Sequence, residues 1–106
     1  MTIELLHWSG CPSLPQARDH LRTALATLGE DPDAVVVRSV ETEAEAVAER
    51  FPGSPTFRVD GRDLFASDEP PSLTCRIYRR PNGQPSPTPD PTELREALRA
   101  ALEETA

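Results

Sequence analysis

Apolar positions along this chain change period five times, and each change opens a new element. Ile3-Glu4-Leu5-Leu6 reads as a strand within residues 2–8. Over residues 12–28 the apolar residues Leu14, Ala17, Leu21, Ala24, Leu25 and Leu28 recur at spacings of three and four, which predicts a helix. Pro12 suits its first position and Gly29 its C-terminal stop. Residues 34–40 carry the β-branched run Val35-Val36-Val37, read as a buried strand parallel to the first, because a helix joins the two.

Thr42 followed by Glu45 is a capping box, and it opens a second helix. Ala44, Val47, Ala48 and Phe51 form its expected core face, and Pro52-Gly53 ends it. Thr56-Phe57-Arg58-Val59 and Asp63-Leu64-Phe65 flank Asp60-Gly61-Arg62, a hairpin pattern. Residues 66–73 read as a loop and 74–78 as a short extended piece. Alternating prolines at 85, 87, 89 and 91 predict a stiff extended connector at about 81–91. Asp90 then caps a final helix with Pro91 at its first position and Leu94, Ala97, Leu98, Ala101 and Leu102 inward. The predicted order is β-α-β-α-β-β-α, an α/β fold with a mixed four-stranded sheet in one domain over 1–106.

Composition narrows the partners. The 106 residues carry a net charge of −7, with 37% hydrophobic and 27% charged residues. All eleven basic residues are arginine, so lysine chemistry is excluded. An acidic chain lacks the basic footprint that nucleic acid requires, and Arg76, Arg79 and Arg80 read as a solvated patch. No apolar run reaches the roughly 18 residues of a membrane span, and the N-terminal stretch lacks a signal-peptide pattern. The expectation is a cytoplasmic protein with reduced thiols, no membrane partner and no cofactor.

The chemistry concentrates at Cys11, where the first strand meets the first helix. A helix N-terminus stabilises a thiolate, and only the thiolate attacks disulfides. The expected donors to its sulfur are the N–H groups of Ser13 and Leu14, since Pro12 has none. A reactive, partly exposed thiol is weighed against a small buried hydrophobe, the commoner fate of a free cysteine. Ser54-Pro55 is a candidate cis peptide, since X–Pro bonds disfavour cis by only about 0.5–1 kcal/mol.

Two motifs carry a family resemblance. Cys11-Pro12-Ser13-Leu14-Pro15-Gln16-Ala17 is similar to the Cys-Pro-x-Cys-x-x-Ala of glutaredoxins, except at Leu14. Gly53-Ser54-Pro55-Thr56 resembles the loop that carries a cis-proline facing the active cysteine in thioredoxin-like proteins. The resemblance covers about residues 2–66 and, more loosely, the last helix. It implies a thioredoxin-like three-layer α/β/α sandwich and thiol–disulfide oxidoreductase activity through Cys11. Protein or small-molecule thiols and disulfides are the implied partners. Trp8, Pro12, Ser54, Pro55 and Thr56 would line the substrate site, with the Ser54 backbone facing outward to pair with an extended substrate.

Leu14 departs from the pattern by removing the local resolving cysteine. Three outcomes follow: an external thiol resolves Cys11, or Cys75 does, or redox activity is lost and a binding module remains. Arg76 is a candidate partner for a thiolate or a carboxylated thiol carrier. A further alternative is soft-metal or organomercurial binding by Cys11 and Cys75, with Asp68 or Glu69 delivering a proton. Thr74-Cys75-Arg76-Ile77-Tyr78 is similar to short thioredoxin-like proteins grouped with alkylmercury lyases.

Overall fold

The computed structural model describes residues 2–105; Met1 and Ala106, the ends of the expected domain, lie outside them. The element order is β1 (Ile3–His7), α1 (Leu14–Thr27), β2 (Val35–Ser39), α2 (Glu43–Glu49), β3 (Thr56–Val59), β4 (Arg62–Asp63), β5 (Tyr78–Arg79), β6 (Pro85–Ser86) and α3 (Pro91–Thr105). Four strands form a mixed sheet in the order β2-β1-β3-β4. β1 runs parallel to β2, with Ile3 beside Val35, and antiparallel to β3, with Leu5 beside Phe57. Asp60 and Gly61 both take positive φ in the β3–β4 turn, as a tight hairpin of the expected Asp-Gly type requires.

The alternation of β1 divides the core. Ile3 and Leu5 join Phe57, Val59, Leu21, Leu25, Leu94 and Leu98, so α1 and α3 share one apolar cluster with the sheet. Leu6 points the other way, into a second cluster with Val40, Ala46 and Phe51, against which Trp8 and Leu73 pack. Each fully buried Leu or Phe side chain contributes about 1.5–3 kcal/mol by leaving water. Phe57, Phe65 and Tyr78 meet edge to face at centroid separations of 5.4–6.3 Å, and this triad ties the hairpin to the later chain.

Four expectations need correction. β2 is an edge strand, not a buried one: Val36 is 47% exposed and Val37 38%. Its valines reflect half-buried β preference rather than burial on both faces. α2 turns Ala46 inward, while Ala44, Val47 and Ala48 are exposed. The Thr42 cap is as expected, accepting from the Glu45 N–H at 3.0 Å, but a seven-residue helix is oriented by one contact row only. The first helix begins at Leu14, not Pro12; Pro15 occupies its first turn, where a missing N–H costs nothing. Finally, β5 and β6 add a two-stranded ribbon with Tyr78 beside Ser86. The proline tract is therefore not only a connector, because Pro85 sits at a ribbon edge, where it need not donate to a neighbour.

Candidate functional site

Cys11 lies in the turn between β1 and α1, three residues before the helix begins. It is 4% exposed, so the expectation of a partly exposed thiol does not hold. Its sulfur is 3.2 Å from the Ser13 hydroxyl and 3.6 Å from the Ser54 carbonyl oxygen. Ser13 is the N-cap of α1, yet its hydroxyl makes no cap hydrogen bond. That hydroxyl is turned toward the cysteine instead.

The Ser54–Pro55 bond is cis. Ser54 holds the site from two sides. Its hydroxyl accepts the Trp8 N–H at 3.0 Å, fixing the end of β1 to this loop. Its backbone is paired with the chain seventy-fourth onward: the Ser54 N–H donates to Thr74 at 2.8 Å, and the Arg76 N–H donates to the Ser54 carbonyl at 2.7 Å. The result is an isolated parallel bridge that sets Cys75 beside Ser54. The expectation of an outward-facing Ser54 backbone is therefore overturned. Ser54, Pro55 and Thr56 are fully buried, and residues 74–76 already occupy the edge an added strand would use. Of the expected lining, Pro12 is exposed and Trp8 half-buried.

The bridge brings the two cysteines together. Cys75 is exposed, both thiols are free, and Cys75 is bridged to Ser54, whose carbonyl oxygen lies 3.6 Å from the Cys11 sulfur. Burial pushes the Cys11 thiol up. Hydrogen bonds from the Cys75 thiol, the Ser13 hydroxyl, the Ser13 N–H and the Ser54 hydroxyl outweigh burial, so Cys11 falls below the ordinary thiol value. Cys75 moves the other way, to about 11, first through its hydrogen bond to Cys11, then through burial and the Cys11 charge. Of the two, Cys11 is therefore the more acidic thiol and Cys75 the less acidic. The Ser13 N–H is among the expected donors; the hydroxyls and the second cysteine supply the rest.

Residues 74–76 are anchored by Arg76, the residue expected in a solvated patch. Arg76 is buried, and its guanidinium pairs with Asp63 at 2.8 Å. It also donates to the Thr56 hydroxyl at 3.3 Å and to the Phe65 carbonyl, and it lies 4.7 Å from the Tyr78 ring centre. It pairs with Asp63 rather than with a thiolate. Tyr78 donates its hydroxyl proton to the Pro55 carbonyl, and burial pushes that phenol up, keeping it neutral. Gly53, at φ +138°, lets the segment close in: a Cβ there would lie 3.1 Å from the Arg76 backbone nitrogen. No pattern in residues 74–78 distinguishes a buried arginine from an exposed one. The only signal was the adjacent β-forming Ile77-Tyr78.

Comparison with protein-family models, curated proteins and solved structures found no match. Among the described residues, no group of three or more His, Cys, Asp or Glu side chains is placed to hold a metal ion. Asp68 and Glu69 thus form no metal-holding group with the two cysteines. Among the described residues, no helix is long and apolar enough to cross a membrane.

Proposed function

We propose that the protein is a thiol–disulfide oxidoreductase of thioredoxin-like, three-layer architecture, in which Cys11 is the nucleophile and Cys75 the resolving thiol. The observation that carries this reading is the meeting of two free thiols beside Ser54: Cys75 is bridged to Ser54, and the Cys11 sulfur lies 3.6 Å from the Ser54 carbonyl oxygen, with Cys11 the more acidic of the two. Cys75 takes the role that Leu14 leaves vacant one turn along the helix. Free thiols so close together fit a reducing compartment such as the cytoplasm.

The steps balance as a two-electron exchange. The Cys11 thiolate attacks one sulfur of a disulfide; the S–S bond breaks, and the leaving thiolate takes up a proton. Cys11 is then neutral in a mixed disulfide. Two of the three causes that raise Cys75, its hydrogen bond and the Cys11 charge, vanish at that moment. Cys75 therefore releases its proton more readily and attacks the Cys11 sulfur. A Cys11–Cys75 disulfide forms and the second thiolate leaves. The substrate is reduced, the protein is oxidised, and a low-mass thiol restores the pair by the reverse exchange.

The test is incubation of the reduced protein with a graded ratio of oxidised to reduced dithiothreitol, followed by acid quench and mass mapping. The expected product is a protein two hydrogens lighter, with one peptide pair linked through Cys11 and Cys75. A protein that stays fully reduced until it unfolds, or links only between molecules, would refute the proposal.

A further inference from the structure

We infer that the site acts on small, low-mass disulfides and is closed to disulfides carried in extended polypeptides. This rests on the thiol–disulfide reading above and narrows its substrate class. An extended peptide docks beside a reactive group by adding a strand, which requires an unpaired N–H and C=O on the adjacent edge. The edge adjacent to the Cys11 sulfur is Ser54, whose carbonyl oxygen lies 3.6 Å away. Both of its backbone groups are already used, by Thr74 and Arg76.

The occupant is fixed in place. Arg76 is buried and holds Asp63, Thr56 and the Phe65 carbonyl at once. Gly53 leaves no gap beneath it, since even a methyl group there would press on the Arg76 backbone. Displacing residues 74–76 would also carry Cys75 away from Cys11, removing the thiol that completes the exchange. A polypeptide that opened this edge would thus disable the site it sought. Cys11 is 4% exposed, so the approach that remains is narrow. A disulfide with small substituents can present one sulfur through such an opening without needing any backbone partner.

The experiment compares two reagents with the same leaving thiol. One is 2-hydroxyethyl disulfide. The other is an unstructured peptide whose central cysteine is disulfide-linked to 2-mercaptoethanol. Each rate of Cys11 modification in the wild-type protein is divided by the rate of N-acetylcysteine with the same reagent, which removes intrinsic reactivity. The peptide gains no strand-addition hydrogen bonds at the occupied edge and must bring a bulky chain to a thiol that is 4% exposed, so steric exclusion should make the normalised ratio favour the small reagent severalfold. A peptide that reacts equally fast or faster overturns this inference and leaves the oxidoreductase reading standing. Failure of both reagents to modify Cys11 in the folded protein overturns the reading and the inference together.

Discussion

The Cys75→Ala variant is expected to stop at the mixed disulfide. If Cys75 resolves an adduct on Cys11, as proposed, that adduct should be transient in the wild-type protein. Without Cys75, a small disulfide should leave close to one adduct per chain, stable until an external thiol is added. The measurement is intact mass after rapid quench. Alanine also removes the first of the hydrogen bonds that lower Cys11, so its thiolate should form at higher pH than in the wild type. Cys75→Ser separates the two effects: it too traps the adduct, but its hydroxyl keeps a donor near Cys11. Rapid, complete release of the adduct from Cys75→Ala without added thiol would contradict a resolving role for Cys75.

Replacing Arg76 with alanine should produce the largest loss of stability among single changes around the site. The substitution leaves the Asp63 carboxylate, 21% exposed, without its cation, and it deprives Thr56 and the Phe65 carbonyl of a donor. Removing one partner of a buried pair costs about 3–5 kcal/mol. Urea unfolding should show this as a lower midpoint with an unchanged slope. The same change loosens residues 74–76, so the Cys11 thiol should rise toward the ordinary value even in molecules that remain folded. A stability change under about 1 kcal/mol would show that Arg76 is not an anchor, since surface pairs are worth no more than that.

The local part of this structure was legible in the sequence. Leu21, Ala24 and Leu25 sit inward on α1 because helical periodicity is written into neighbouring residues, and Asp60-Gly61 forms its turn for the same local reason. The candidate site was half legible. Cys11 and the Ser54-Pro55 loop stand out by their positions at element boundaries, and the cis bond lies where the motif puts it. The other half depends on contacts between distant segments. Nothing within residues 72–78 specifies that Thr74 and Arg76 bridge Ser54, because the complementary groups lie some twenty residues earlier in the chain. The exposure of Val36 and Val37 is likewise set by strand order, which places β2 at an edge. Ser13 was expected to offer its N–H, but its hydroxyl contributes as well, because the side chain turns from the helix end toward Cys11.

On the proposed function, Cys11 is the more acidic of two neighbouring thiols and Cys75 the less acidic. The most direct test is the pH dependence of iodoacetamide alkylation at each cysteine, read by peptide mapping. Sign and direction follow from the two thiols. Cys11 should reach half its maximal rate at lower pH than N-acetylcysteine alkylated alongside it. Cys75 should lag far above it, toward about 11, while Cys11 is unmodified. In Cys75→Ala the Cys11 midpoint should move upward. A wild-type Cys11 midpoint at or above that of N-acetylcysteine, unmoved by Cys75→Ala, would contradict the account.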